Sequence, residues 1–219
     1  MEAIKRVVEL NESAVIGLHE GKVDSSVRLL RDALNLYRVE LTGDAKDIAY
    51  GPNAEPHDHV LGVMLNDQLC ENDARVTPDN IFSPFNCAFC FMEEVANVDS
   101  AAVVVLYNYG LALHRRGMVL GKQTDLRRAL QLYGMAYGLL QDEAMTSRFE
   151  LGRVGLALVT NQAQLYQHFL EFEKVENCLG HLQTMLQDRS HMNLTADEFT
   201  FFFHVVFFSS KRVSASPAA

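Results

Sequence analysis

Few residues in this 219-residue chain have types and spacing that could do chemistry. Cys87-x-x-Cys90 has the spacing of a metal knuckle or a redox pair, and it sits inside the phenylalanine-rich stretch FSPFNCAFCF, Phe82 to Phe91. A structural zinc site takes four nitrogen or sulfur ligands, usually as two close pairs. The other soft donors in this region are Cys70 and the pair His57 and His59. Cys70, Cys87, Cys90, His57 and His59 are therefore one conceivable ligand set for a metal-binding regulatory module. Strand geometry argues against it, because residues three apart on a strand project to opposite faces. The odd positions Ile81, Phe85, Cys87, Phe89 and Phe91 then form one apolar face, and the cysteines behave as small core hydrophobes. The expectation is a buried wall, with no metal and no cofactor.

No catalytic set stands out. There is no Gly-x-Ser-x-Gly elbow and no His-Glu-x-x-His. Gly117-x-x-x-Gly121-Lys122 has the wrong spacing for a phosphate loop, and Gln123 stands where Ser or Thr is needed. The chain is not expected to be an enzyme. Its one cationic concentration is Arg115, Arg116, Lys122, Arg127 and Arg128, a candidate docking patch for an acidic or phosphorylated partner.

The charge balance of 19 basic against 28 acidic residues, net −9, opposes general nucleic-acid binding, which needs a basic face. The N-terminal MEAIKRVVEL is charged within two residues and carries no apolar signal core. The longest apolar run is Phe199 to Phe208, far short of the ~20 residues a bilayer span needs. Four cysteines (Cys70, Cys87, Cys90, Cys178) fit a reducing compartment better than a disulfide frame. These features predict an intracellular protein, cytoplasmic or nuclear, with no membrane span.

The elements that must position any site come from self-similarity. Leu10, Ala14, Gly17, Gly21, then Ser26, Leu30 and Ala33 form one unit. Leu106, Gly110, Leu113, Gly117, then Ala129, Tyr133 and Ala136 form a second, and Val159, Ala163, Tyr166, Leu170, then Val175, Leu179 and Leu182 a third. Each is a helix with a small residue at its middle, a turn and a second helix. The small residues let the partner helix approach, and apolar residues three and four apart form the stripe each helix buries. From 14 to 26 and from 163 to 175 is twelve residues, but from 110 to 129 is nineteen, so seven residues are inserted around MVLGKQT. A single hairpin cannot bury its own face, so the units must stack.

On these residues the chain resembles the tetratricopeptide repeat (TPR), with its Leu-Gly-Tyr first helix and Ala-Phe-Ala second helix. The closing proline is missing, and the opening aromatic is Leu10, Leu106 and Val159. The segment YNYGLALHRRG…DLRRALQLYGMAY, preceded by IFSPFNCAF, is similar to uncharacterised TPR-like proteins of eukaryotic microalgae. The resemblance implies a helical interaction fold and brings no activity.

The fold expected is mostly α: a TPR-like α-solenoid of about three helix-turn-helix units plus a C-terminal helix, with a small β-hairpin-like insertion. The whole is one domain, 1–210. Its first hairpin spans 1–42, with Asp24 capping the second helix. An insertion with two apolar strands spans 43–98. The second hairpin spans 99–141, with Asp125 as cap. The third spans 146–187 and opens on the capping box Ser147-x-x-Glu150. A terminal helix, 195–209, opens on Thr195-x-x-Glu198, and 210–219 is a disordered tail.

Three partner surfaces follow. TPR grooves take peptides along their first helices, and there Asn108 and Asn161 share a repeat position, with Gln164, Asn11 and Tyr107 nearby. Their amides suit the backbone of an extended peptide. The basic patch is the second surface. The third is the terminal helix, apolar almost all round, whose Phe199, Phe202, Phe203, Val206 and Phe207 suggest self-association or an obligate partner. The expected function is a protein-interaction scaffold.

Overall fold

The computed structural model describes residues 2–41, 60–65, 85–91, 98–141, 151–187 and 194–213. Among them are seven α-helices and one two-stranded sheet. In chain order these are α1 (Glu2–His19), α2 (Val23–Leu36, continued by a π-helical turn Tyr37–Leu41), β1 (Val60–Met64), β2 (Cys87–Phe91), α3 (Val98–Leu120), α4 (Gln123–Gln141), α5 (Gly152–His168), α6 (Phe172–Gln187) and α7 (Ala196–Val213). Cys70, His57, His59, Ser147 and Glu150 lie outside the described residues. None of the described helices is long and apolar enough to cross a membrane.

Three tight turns reverse the chain, and they share one hydrogen-bond pattern. Lys22 N–H donates to Gly17 O at 2.7 Å, Lys122 N–H to Gly117 O at 2.9 Å and Glu171 N–H to Tyr166 O at 2.9 Å. These are Schellman closures, in which the residue just past the helix sits in the left-handed region. That residue is Gly21 (φ 77°), Gly121 (φ 64°) and, without the freedom of glycine, Leu170 (φ 60°). The expected alignment paired Gly21 with Gly117, and the turn geometry pairs it with Gly121 instead.

The shift explains the insertion. From Ala14 to Gly21 is seven residues, but from Gly110 to Gly121 is eleven, so α3 is four residues longer before its turn. From Gly21 to Ser26 is five, and from Gly121 to Ala129 is eight, so α4 gains three after it. The seven residues are one added turn on each helix rather than a loop. The longer hairpin closes tightly: a Cβ on Gly117 would stand 2.5 Å from Leu126 Cδ2, and one on Gly110 2.5 Å from Tyr133 Cε1.

Two expected caps are corrected. α2 and α4 begin before Asp24 and Asp125, and α2 is preceded by Lys22 with no side-chain cap. Both aspartates sit in the first turn and bind Arg116, which donates to Asp125 Oδ2 (2.7 Å) and Oδ1 (3.0 Å) and to Asp24 Oδ1 (2.9 Å). This one side chain ties the first hairpin to the second. The box at α7 forms as expected: Thr195 N–H donates to Glu198 Oε2 at 2.9 Å, and Glu198 N–H to Thr195 Oγ1 at 3.2 Å. α7 itself continues past its expected end to Val213.

Each helix packs on the next in sequence, and α1 also meets α3, α3 meets α5 and α5 meets α7. The odd-numbered helices therefore share an inner side. The sheet lies there, against α1 and α3. This accounts for the unusual composition of α3, buried on every face from Ser100 to Arg115. Helices cover one side and β2 the other, so no polar stripe is needed.

Candidate functional site

The inner side of α1, α3 and α5 is a groove, and its occupant is the strand carrying Cys87 and Cys90. β1 and β2 pair antiparallel, with Val60 opposite Phe91, Gly62 opposite Phe89 and Met64 opposite Cys87. Leu65 N–H continues the ladder to Asn86 O at 3.1 Å. In such a ladder alternate residues turn their N–H and C=O groups away from the partner strand. Here the residues facing away are Phe85, Cys87 and Phe89, and helix side chains bind both groups of Phe85 and Phe89 and the carbonyl of Cys87.

Asn161 Oδ1 accepts from Phe85 N–H at 2.8 Å, and its Nδ2 donates to Phe85 O at 3.4 Å. Asn108 does the same four residues on, accepting from Phe89 N–H at 2.9 Å and donating to Phe89 O at 2.7 Å. Asn11 Nδ2 also donates to Phe89 O at 3.0 Å, while its Oδ1 accepts from Asn108 Nδ2 at 2.8 Å. Tyr107 Oη contacts Cys87 O at 2.9 Å and Phe85 O at 3.2 Å. All four helix side chains are buried, and each asparagine is 0% exposed. An unpaired main-chain group in such a place would be costly, so this row of amides fixes the strand's register.

Beneath the strand lies a second polar layer. Asn161 Nδ2 reaches Tyr107 Oη and Tyr133 Oη, each at 3.4 Å, and Tyr133 Oη lies 3.4 Å from His114 Nδ1. Burial pushes both phenols well above their ordinary range. The same desolvation, with His168 nearby, holds the His114 imidazole down at about 3.

The strand's side chains fill the groove. Phe85 packs on Phe202 (4.8 Å between ring centres) and Phe201 (5.4 Å) of α7, and Phe89 on Tyr107 (5.1 Å). Phe89 and Ala88 are wholly buried. Cys87 lies by Arg153 and Glu198, whereas Cys90 lies by Glu12, as expected of residues three apart on a strand. Burial raises both thiols, Cys87 to about 12 and Cys90 to about 11. Among the described residues, no three His, Cys, Asp or Glu side chains converge as metal ligands.

α7 closes the groove at the Phe85 end. Phe202 and Val205 face inward and are buried, while Val206 is half-buried. Phe202, expected at an interface, thus packs within the chain. Phe199, Phe203 and Phe207 stack along the outer side, with centres 6.1 and 6.0 Å apart, and Phe203 and Phe207 are exposed. Arg153 of α5 donates to Glu198 and pins α7 beside the sheet. Burial disfavours the charged form of Glu198, but its bonds from Arg153 and Thr195 outweigh that and lower its pKa.

The predicted basic residues are dispersed. Arg115 is buried and donates to Asn86 Oδ1 at 2.8 Å, and Arg116 holds its two aspartates. Arg127 and Arg128 are exposed at their edges and lie over the rings of Phe169 (4.8 Å) and Tyr109 (5.7 Å). Lys122 is exposed at its turn. Gln164 is buried about one turn beyond Asn161. The sequence reading missed Arg153, which no local pattern marks, and passed over Glu198 as a site residue, although its capping box flagged it. Scans against protein-family models, curated proteins and solved structures each find no match for this chain.

Proposed function

We propose that this chain is a non-catalytic interaction scaffold, a TPR-like solenoid of about three helical hairpins whose inner groove grips an extended segment by its main chain. The observation that carries the reading is the matched pair of amides: Asn108 and Asn161 each hold both polar groups of one strand residue, four residues apart. Side-chain amides that bind N–H and C=O together select extended backbone over sequence, the chemistry of strand-like peptide recognition. The free thiols of Cys87, Cys90 and Cys178 suit a cytoplasmic or nuclear setting. The exposed Phe203 and Phe207 favour a second contact through α7, with another copy or a protein partner.

Panning a displayed peptide library against the full chain tests the groove. Because β2 already occupies both asparagines, the comparison is made in chains whose β2 is loosened by Ala88→Asp; there the enriched peptides should bind Asn108→Asp and Asn161→Asp versions about tenfold or more weakly, since each loses a donor. Peptides indifferent to both asparagines would end this reading. Light scattering tests the α7 contact, and a monomer at micromolar concentration removes self-association.

A further inference from the structure

Resting on the second contact proposed for α7, we infer that its outer side pairs with the α7 of a second copy of this chain, antiparallel about a two-fold axis at Phe203. One side of α7 packs on α6 and α5. The other keeps Phe203 49% and Phe207 43% exposed, with Phe199 half-buried beside them. The last helix of a repeat array ordinarily turns a polar side to water. Here residues four apart on one helix side are aromatic, stacked at 6.1 and 6.0 Å. Thr200 is exposed on the same side, and its hydroxyl donates back to Ala196 O at 2.8 Å, so it asks no bond of a partner.

The arrangement is its own complement. Phe199 and Phe207 stand four residues either side of Phe203. In an antiparallel pair Phe203 therefore meets the partner's Phe203 on the axis, and Phe199 meets the partner's Phe207. Aromatic rings so placed gain beyond the area they bury. Charge selects the direction. Asp197 is exposed in the first turn of α7, and the sequence closes the helix on Lys211 and Arg212. A rotation about Phe203 brings Asp197 level with position 209 of the other copy, two residues or ~3 Å from Lys211. Each acidic start then lies against a basic end, twice in the pair, whereas a parallel pair sets acid beside acid and base beside base. Glu198, the other carboxylate of that turn, is committed to Arg153 within the chain. One helix per copy buries less than the ~800 Å² per partner of a standard interface, so the dimer is reversible, with a dissociation constant on the order of micromolar.

Sedimentation equilibrium of the full chain, from about 1 to 100 µM under reducing conditions, tests the pairing, and a monomer–dimer equilibrium is expected. Phe203→Ser should weaken it at least about tenfold, because the change falls on both sides of the axis. Asp197→Lys and Lys211→Asp should each weaken it about threefold or more, and a chain carrying both should return close to the wild-type constant. A dimer indifferent to Phe203→Ser is held elsewhere and overturns the inference. A dimer that needs Phe203 but ignores both charge reversals overturns the antiparallel pairing. Should Phe203→Ser lose helix content by circular dichroism, Phe207→Ser is read in its place. A wild-type monomer throughout overturns the inference while the groove reading stands, and flotation of that monomer with phosphatidylcholine vesicles would give this side of α7 to a lipid surface instead. Indifference of the panned peptides to Asn108 and Asn161 defeats the groove reading alone.

Discussion

Asn108 holds both main-chain polar groups of Phe89, accepting from its N–H at 2.9 Å and donating to its C=O at 2.7 Å, in a place without solvent. Asn11 shares the carbonyl. The N–H is therefore the group with most to lose. Asn108→Leu keeps the volume and removes the acceptor, and it also takes the donor from Asn11 Oδ1. At ~1–3 kcal/mol for each orphaned buried group, the loss should be about 2–5 kcal/mol, or roughly 5–15 °C in melting temperature. Thermal unfolding followed by circular dichroism measures it, with Asn35→Leu on the exposed side of α2 as control. A melting temperature matching wild type would show that Asn108 does not hold the strand.

Arg116 should couple unequally to its two aspartates. Asp125 is mostly buried and receives two bonds, while the Asp24 side chain is 77% exposed. A double-mutant cycle with Asp125→Asn should give about 1.5–3 kcal/mol. The same cycle with Asp24→Asn should give under ~1 kcal/mol, because solvent screens that pair. Equal couplings would contradict the geometry.

Leu170 occupies the left-handed position that glycine fills at the other two turns, and it is 71% exposed. Leu170→Gly relieves ~1–2 kcal/mol of backbone strain and adds ~0.5–1 kcal/mol of unfolded-state freedom. A net gain of about 0.5–1 kcal/mol should appear in urea denaturation. Gly121→Ala should move stability the other way by a similar amount.

His114 sets an acid limb. Its pKa is near 3 in the folded chain because burial opposes the charged ring, against an ordinary value near 6.5 when unfolded. Between those values the unfolded chain binds a proton and the folded chain does not. The His114 contribution is thus complete above pH ~6.5 and is lost progressively down to pH ~3, with a slope approaching 1.4 kcal/mol per pH unit. Urea midpoints from pH 4 to 7 record it. His114→Leu should flatten the slope, and a wild-type limb no steeper than the variant's would refute the assignment.

The shared helix side of Asn108 and Asn161 was legible from their common repeat position, but they were expected to meet a partner peptide, and here they are wholly buried and hold the chain's own β2. That β2 would be a buried apolar strand was legible from its alternation; that Asn11, Asn108 and Asn161 would hold it was not, since these pairings join residues from 19 to 78 apart with no local signature. Asp24 and Asp125 looked like caps because aspartate before an apolar run is a helix start. The Schellman turns instead start the helices earlier, leaving both carboxylates to Arg116. In α7, phenylalanines on nearly every side conceal which face turns inward, so Phe202 and Phe203 could not be told apart. Arg115 looked like surface because arginine usually is; only the nearby strand gives it a buried acceptor in Asn86.

The extra turn shared by α3 and α4 imposes a rule on length. Climbing one turn and descending one turn costs the chain four residues and then three, after which every side chain beyond the tip points where it did before. A single-residue insertion between Gly110 and the tip would instead swing the tip-side half of α3 by about 100° and carry Arg116 away from both its aspartates. This hairpin can therefore lengthen or shorten in heptads while the groove keeps its register, much as a ladder accepts whole rungs.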